Sequence, residues 1–193
     1  MTEGFAANRV WTPELDRRAR ALSWLLLDVD GVLTDGRLHL AASGEVFKSF
    51  HVRDGLAVKL ARAAGLSVGI LSARASAIVA ARAADLGVDE VLQGHEDKGA
   101  AFRELLERRG LEPAAVAFVG DDLQDLPVLG AVGLSAAPSD AAAEVRAAVD
   151  FVTAAGGGRG AVRELVERLL SARGEWERVL AGFGRGRPGH GRS

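Results

Sequence analysis

Two aspartates stand two residues apart directly after a short apolar stretch near the start of the chain. Leu25 to Leu27 precede Asp28, and Gly31 follows Asp30. Alternation along an extended chain points both carboxylates the same way, and Gly31 lets the backbone turn after the second one. Two like charges this close repel each other unless something positive lies between them. The pair therefore predicts a reactive or cation-binding site.

A second acidic cluster follows another apolar stretch, which ends at Val119. It consists of Asp121, Asp122 and Asp125. Ligands of open α/β sheets bind at the carboxyl ends of strands, so two such clusters can meet at one edge. Magnesium prefers oxygen ligands and is typically held by one or two carboxylates plus substrate phosphate. The acids predict a Mg²⁺ site, although Asp122 and Asp125, taken singly, are as readily explained as helix caps.

Two more positions supply what a phosphoryl group needs. Ser72 follows the apolar stretch Val68 to Leu71 and offers a hydroxyl, and Lys98 offers a cation. Together with a metal they would neutralise the oxygens of a phosphoryl group as charge spreads in the transition state. Either residue alone predicts no more than a helix cap or a solvated first-turn lysine, so the order of the four stretches carries the inference.

Composition limits the kind of protein that can carry this site. The chain has 193 residues, 48% of them hydrophobic and 26% charged, which suits one globular domain. A net charge of −2 gives no general attraction to polyanions, so neither nucleic acid nor an anionic membrane is predicted as a partner. The absence of cysteine excludes thiolate metal sites and cysteine nucleophiles. No stretch resembles a secretory signal or a membrane span, which predicts a cytoplasmic protein.

The positions of these residues depend on the elements around them. Short apolar runs alternate with alanine-rich amphipathic segments, the pattern of parallel strands connected by covering helices. We predict an α/β fold, a doubly wound three-layer sandwich with a central parallel sheet. The candidate strands are Trp24 to Val29, Ser67 to Leu71, Glu90 to Gln93, Ala115 to Val119, Val132 to Ser135 and a short one near Phe151. The candidate helices are Gly55 to Ala64, Ala75 to Leu86, Lys98 to Arg109, Leu123 to Leu129, Ala141 to Ala147 and Gly160 to Ala172.

Two segments depart from this rhythm. Residues 36–52 predict a β-hairpin inserted after the first strand. Pro13 to Leu22 predict a leading helix, with Thr12 as its N-cap. We therefore expect an N-terminal helical extension over residues 1–23, a main domain over residues 24–172 and a flexible glycine- and arginine-rich tail over residues 173–193.

The four stretches resemble the motifs of the haloacid dehalogenase superfamily of phosphotransferases. The matching residues are Asp28-Val29-Asp30-Gly31-Val32, Ser72, Lys98 and Gly120-Asp121-Asp122. The resemblance implies the superfamily's Rossmann-like fold, with Asp28 as a nucleophile that forms an aspartyl-phosphate intermediate. It implies that Asp30 protonates the leaving alkoxide and then activates water, which favours hydrolysis.

The same resemblance implies the metal ligands and their supports. Asp28, the backbone carbonyl of Asp30, and Asp121 would hold magnesium. Asp122 and Asp125 would support these ligands and orient Lys98. Ser72 and Lys98 would bind the phosphate.

A closer resemblance, over about Trp24 to Ala172, is to the capless branch of 3-deoxy-D-manno-octulosonate 8-phosphate phosphatases. The stretches that carry it are Leu33-Thr34-Asp35-Gly36, Val52-Arg53-Asp54-Gly55, Gly120-Asp121-Asp122-Leu123 and Gly156 to Glu164. It implies hydrolysis of a small sugar phosphate by a homotetramer in which the hairpin lies at a subunit interface, in support of lipopolysaccharide biosynthesis. The implied sugar-acid contacts are His51, Val52, Arg53, Asp54, Gly55, Lys59, Arg74 and Arg82.

Other functions stay open at this point. His51 stands where the resemblance leads us to expect asparagine, so a nine-carbon sugar acid such as an acylneuraminate 9-phosphate is an alternative substrate. A non-catalytic module that regulates a sugar-nucleotide synthetase is a second alternative, against which all four reactive positions are filled. A phosphatase of proteins or nucleic acids is a third, because no large cap insertion is visible between the motifs.

Overall fold

The first strand shows why this chain forms three layers. In the computed structural model, which describes residues 10–184, Trp24–Leu27 form β1 and all four side chains are buried. Leu25 and Leu27 pack into one hydrophobic cluster, and Trp24 and Leu26 pack into another. Successive side chains of a strand point to opposite faces, so both faces of this strand need a covering layer of helices.

Six parallel strands form the central sheet, in the order β5-β4-β1-β6-β7-β8. The strands after β1 are β2 (His39–Ala41), β3 (Gly44–Phe47), β4 (Ser67–Ser72), β5 (Glu90–Gln93), β6 (Val116–Val119), β7 (Leu134–Ala137) and β8 (Phe151–Val152). The predicted α/β sandwich is confirmed, with β1 ending two residues earlier than the sequence predicted.

The helices divide between the two faces of the sheet. They are α1 (Pro13–Ala21), α2 (Val52–Ala63), α3 (Ala77–Leu86), α4 (Lys98–Arg109), α5 (Leu126–Leu129), α6 (Ala143–Ala148), α7 (Ala161–Ala172) and α8 (Trp176–Gly182). Buried residues of α1, α2, α3 and α7 belong to the cluster on one face, and those of α4, α5 and α6 to the cluster on the other. None of the helices within residues 10–184 has the length and apolar character needed to cross a bilayer.

The order of the strands creates a crevice beside β1. From β1 the chain builds β4 and β5 on one side, and it then returns to build β6, β7 and β8 on the other side. The direction of growth therefore reverses between β1 and β6, and the loops that follow these two strands diverge. Ligand sites of doubly wound sheets lie at such a reversal, outside the carboxyl ends of the strands.

The predicted hairpin after β1 is confirmed. Strands β2 and β3 pair antiparallel as a separate two-stranded sheet, with a register shift beside His39. Leu40, Val46 and Phe47 are among its exposed apolar side chains. The hairpin is thus an appendage to the sandwich rather than an extension of its sheet.

The sequence predictions for the two ends of the chain had different outcomes. Thr12 accepts a hydrogen bond from the backbone N–H of Leu15, so the predicted N-cap of α1 is confirmed. The prediction of a flexible tail from residue 173 is wrong for α8, because Trp176 and Val179 supply apolar side chains that pack against the core. The glycine and arginine content of this region led the sequence analysis to predict a tail instead of the short helix α8. Residues 185–193 of the predicted tail lie outside the described residues.

Candidate active site

The floor of the crevice is built from the residues that follow β1 and β6. The backbone N–H of Asp28 donates to the carbonyl of Val119 at 3.0 Å, which extends the pairing of the two strands by one residue. Asp28, Asp121 and Asp125 each offer a carboxylate oxygen, and these three oxygens all lie within 4.8 Å of one another. The two acidic clusters, which are about ninety residues apart in sequence, therefore converge as the sequence predicted.

A buried lysine lies between two of these carboxylates. Lys98, the first residue of α4, has its Nζ 2.9 Å from Asp28 Oδ1 and 2.6 Å from Asp125 Oδ1. The second oxygen of Asp125 accepts backbone N–H groups of Asp121 at 2.8 Å and of Asp122 at 3.2 Å. Both oxygens of Asp125 are thus engaged within the protein, so it holds the lysine and the loop in place and leaves ligation to the other two acids.

The electrostatics of the cluster call for a cation. Burial raises the pKa of Asp28 to about 6, although Lys98 opposes this shift. Burial, together with the nearby charges of Asp28 and Asp125, raises the pKa of Asp121 to about 8. Asp121 Oδ1 is buried and finds no hydrogen-bond partner among residues 10–184. Asp28 and Asp121 are two hard oxygen donors that share a single nearby ammonium, that of Lys98. They fit Mg²⁺, which would restore both carboxylates to their ionised form.

Glycine at position 31 makes this geometry possible. A Cβ at Gly31 would lie 1.9 Å from Asp121 Oδ2, and its φ of +90° is one that other residues rarely adopt. The backbone of Gly157 packs directly against this loop, since a Cβ at Gly157 would lie 1.8 Å from the carbonyl oxygen of Gly31. The glycine-rich segment that contains Gly157 therefore supports the loop between Asp28 and the hairpin.

Asp30 forms the wall of the crevice on the hairpin side. Its Oδ1 accepts a hydrogen bond from Lys48 Nζ at 2.5 Å, and its Oδ2 lies 3.8 Å from Arg74 Nε. Burial lowers the pKa of Lys48, but its hydrogen bonds to Asp30 and Glu45 outweigh burial and raise it, so the side chain is cationic. Lys48 was not identified from the sequence. The hairpin was predicted, but its folding back onto Asp30 is a tertiary contact that no local pattern encodes.

Ser72 ends β4, the strand on the other side of β1. Ile70 pairs with Leu27, so Ser72 reaches the same edge of the sheet as Asp28. It is 3% exposed, and its hydroxyl oxygen accepts the backbone N–H of Arg74 at 3.3 Å. Within the described part of the chain the hydroxyl accepts this bond and donates none, so its hydrogen can point to an anion, as the predicted phosphate contact requires.

Asp122 does not lie where the sequence analysis expected. Its exposed side chain caps the short 3-10 turn Leu123–Asp125, where it accepts the backbone N–H of Leu123 at 2.8 Å. It contributes its own N–H to Asp125 but its carboxylate makes no contact with Lys98 among the hydrogen bonds and ion pairs of residues 10–184. Asp125 therefore orients Lys98, and Asp122 acts as the helix cap that its position alone indicated.

The predicted sugar-acid contacts from His51 to Gly55 separate into two groups, because α2 begins at Val52 rather than at Gly55. His51, with a half-buried ring, and Val52 and Arg53, which are exposed, lie at the amino end of the helix. Asp54 is buried instead. It accepts the backbone N–H groups of Gly160 at 3.0 Å and Arg163 at 2.8 Å, so its expected role as a substrate contact is wrong: it anchors the start of α7.

The two helical cations and Gly55 are also placed differently from the prediction. Lys59 lines a cavity of about 430 Å³ with Leu66 and Ser67, at the edge of the sheet opposite Asp28. Arg82 pairs with Asp85 at 2.7 Å and covers Gly55, where a Cβ would lie 2.2 Å from its guanidinium. The axis of α2 carries its later residues away from the crevice. Among the ion pairs of residues 10–184, Arg74 is the one of the expected arginine and lysine contacts that reaches an active-site acid, with its Nε 3.8 Å from Asp30 Oδ2.

Comparisons with known proteins agree with this geometry. Residues 63–163 match the sequence profile of the haloacid dehalogenase-like hydrolases, and the chain has the fold of that class. A relative from Salmonella typhimurium, a 3-deoxy-D-manno-octulosonate 8-phosphate phosphatase, is 43% identical over 85% of this chain and 87% of its own. One of the same name from Haemophilus influenzae is 42% identical over 83% and 89% of the two chains.

Solved structures give the same result. The phosphatase of that name from Moraxella catarrhalis, crystallised with magnesium, phosphate and the sugar acid, has a TM-score of 0.87 and 34% identity over 90% of this chain and 99% of its own. The cobalt-bound form of the Haemophilus influenzae phosphatase has a TM-score of 0.83 and 42% identity over 86% and 98% of the two chains. The chain belongs to the 3-deoxy-D-manno-octulosonate 8-phosphate phosphatase family.

Proposed function

We propose that this protein is a magnesium-dependent phosphatase that hydrolyses 3-deoxy-D-manno-octulosonate 8-phosphate to the free sugar acid and phosphate. The observation that supports the proposal is the convergence of Asp28, Asp121 and Lys98 at one end of the sheet, with Asp28 and Lys98 buried and Asp121 half-buried. The sequence identity of over 40% to phosphatases of this substrate supports the choice of sugar. Phosphoric monoester hydrolysis is the chemistry for which a nucleophilic carboxylate beside an acid and a cation is suited.

The proposed reaction has two steps on the same aspartate. An oxygen of Asp28 attacks phosphorus, the bond from phosphorus to the sugar oxygen breaks, and Asp30 gives its proton to the departing alkoxide. Asp30, now ionised, takes a proton from water, which attacks the aspartyl phosphate. The bond between Asp28 and phosphorus then breaks, so the carboxylate is regenerated and phosphate leaves.

Magnesium would be held by Asp28, Asp121 and the backbone carbonyl of Asp30. The bound ion supplies positive charge that lets a phosphate dianion approach two carboxylates. Lys98, held by Asp125, adds a second positive charge on the nucleophile's side. We propose that the Ser72 hydroxyl donates to a phosphate oxygen, since its hydrogen is free to turn toward the crevice.

The sugar acid carries a carboxylate, which arginine binds well in a planar, bidentate way. We propose Arg74 for this contact, because it lies at the mouth of the crevice with about half of its side chain exposed. His51, Val52 and Arg53 stay predictions as further contacts to the sugar. A KM on the sugar phosphate that is unchanged in Arg74→Met would exclude this assignment.

We also propose that the protein is a cytoplasmic homotetramer that supplies the sugar acid for lipopolysaccharide. The exposed Leu40, Val46 and Phe47 of the hairpin give it an apolar surface of the kind that subunit contacts cover. Sedimentation of the wild type and of Phe47→Ser would test the assembly, and cell fractionation would test the location.

The experiment that tests the function compares two phosphates and two metal conditions. Purified protein is given 3-deoxy-D-manno-octulosonate 8-phosphate or an acylneuraminate 9-phosphate, and released phosphate is measured. We expect a higher kcat/KM on the eight-carbon substrate, loss of activity in EDTA and its recovery with Mg²⁺. Asp28→Asn should reduce turnover to background, whereas Glu107→Gln, an exposed change on α4, should not. Preference for the nine-carbon substrate would refute the assigned sugar, and full activity in EDTA would refute the metal.

A further inference from the structure

Lys48 is buried although its immediate neighbours in sequence are exposed. Its two predecessors on the hairpin, Val46 and Phe47, are 55% and 49% exposed, whereas the Lys48 side chain is 1% exposed. Burial of an ammonium group costs free energy that pairing only partly restores. A surface hairpin that exposes apolar side chains and buries a lysine is not arranged for stability alone.

The ammonium of Lys48 joins two carboxylates on different elements. It lies 2.5 Å from Asp30 Oδ1 and 2.9 Å from Glu45 Oε1. The other oxygen of Glu45 accepts a short hydrogen bond from the hydroxyl of Ser76, the N-cap of α3. A continuous polar chain therefore runs from α3 through the hairpin to the Asp30 carboxylate.

This series of hydrogen bonds fixes one oxygen of the Asp30 carboxylate. The other oxygen points to the mouth of the crevice. Oδ1 accepts a hydrogen bond from Lys48 Nζ, and Oδ2 lies 3.8 Å from Arg74 Nε. A carboxylate that must give a proton to one oxygen atom and later take one from water needs a fixed direction. A misplacement of about 1 Å in such a group can cost about 100-fold in rate.

We infer that Lys48 is a positioning residue for Asp30, which it holds in the orientation that serves the leaving oxygen of the substrate. The inference rests on the proposed function, in which Asp30 is the acid and base. Lys48 acts through Asp30 and makes no contact with the phosphate.

The test compares two substrates whose leaving groups differ in how much they depend on protonation. A sugar alkoxide leaves only when it is protonated, whereas p-nitrophenolate leaves with little help, and kcat/KM reports the step in which this group departs. For Lys48→Met we expect a loss of about 10- to 100-fold on the sugar phosphate, the range found when a supporting partner is removed, and at least several-fold less on p-nitrophenyl phosphate. Lys48→Arg should recover most of the activity, and Arg108→Met, which removes an exposed pair with Glu90, should change neither value.

A double-mutant cycle makes the mechanism specific. In an Asp30→Asn background, Lys48→Met should cost less than about threefold on the sugar phosphate, because its target is already gone. If Lys48→Met does not fold, Glu45→Gln provides the test of the inference, since it keeps the lysine but removes the charge of its second partner. It should give the same dependence on leaving group with a smaller loss.

Three results would overturn the inference: equal losses on both substrates, which would place Lys48 on the phosphate; no loss on either; or full additivity with Asp30→Asn. Failure of the proposed function is a separate outcome, because wild-type protein would then release no phosphate from the sugar phosphate before any variant is compared.

Discussion

Replacing Gly31 with alanine should separate metal binding from folding. The added Cβ would lie 1.9 Å from Asp121 Oδ2, and ordinary contact begins at 3.4 Å, so the carboxylate must retreat by about 1.5 Å. Asp121 is short and half-buried, and its backbone carbonyl is fixed by the N–H of Ala142 at 2.8 Å, so the backbone cannot move aside easily. Magnesium requires nearly ideal ligand distances, and we expect its affinity to fall by about 100-fold.

The size of the effect follows from linkage. At a Mg²⁺ concentration 100 times the dissociation constant, binding stabilises the wild type by about 2.7 kcal/mol. A 100-fold weaker site is then half occupied and gains only about 0.4 kcal/mol. The difference of about 2.3 kcal/mol corresponds to about 5 to 9 °C of the melting temperature for a chain of this length.

The assay is thermal unfolding with and without Mg²⁺, with magnesium titration of phosphatase activity beside it. Gly65→Ala is a matched control, because Gly65 has a φ of +85° and no atom within 4 Å of an added Cβ. Backbone strain should cost both variants about 1–2 kcal/mol in the absence of metal. Gly31→Ala should lose more than this, because its Cβ also displaces the Asp121 carboxylate. Only Gly31→Ala should lose the additional stabilisation by Mg²⁺. Equal magnesium responses in the two variants would refute the placement of Asp121 on the metal.

Three further changes have defined outcomes. Lys98→Met removes the counter-charge of two buried carboxylates and should destabilise the protein by about 3–5 kcal/mol in chemical denaturation; a change below about 1 kcal/mol would contradict the buried pairing. Burial raises the pKa of Asp150, but hydrogen bonds, chiefly from Arg18, outweigh it and hold the pKa below 3.8. The stability that Asp150 contributes is complete above that value and is lost as the pH falls through the folded-state pKa. Asp150→Asn should therefore cost about 2 kcal/mol at pH 7 and progressively less below pH 3.8, and a constant deficit would contradict this. Asp54→Ala should lower the melting temperature by several degrees and leave the KM for the sugar phosphate unchanged, because Asp54 holds α7; a raised KM would restore it as a substrate contact.

The sequence was sufficient for the parts of the site that depend on strand ends. Asp28 and Asp121 each follow a buried apolar run, and parallel pairing brings such ends to one edge of a sheet whatever the loops do. Lys98 was found by its place in the order of motifs, although its complete burial was not predicted. These positions follow from periodicity and topology, which are local or nearly local properties.

The remainder depends on tertiary contacts. Whether a charged residue in a helix faces the site or the solvent is decided by how the helix axis crosses the sheet, which no spacing records. The family resemblance implied that Lys59 and Arg82 contact the sugar, but the structure places Lys59 at the opposite edge of the sheet and Arg82 beside Asp85. Asp54 was misjudged because its partners, two backbone N–H groups, lie more than one hundred residues later. Lys48 was missed because the path of the hairpin is set by the same kind of distant contact.

Because the hairpin does not pair with the main sheet, it should open more readily than the strands of that sheet. Its two strands share no backbone ladder with the main sheet, so β2 and β3 can open as a unit at a lower free energy than β1, which has a neighbour on each side. We expect their amides to exchange with deuterium well before those of Leu25 to Leu27. Warming should then loosen the hairpin while the nucleophile stays in place, so that catalysis of the more demanding substrates fades several degrees before the protein melts.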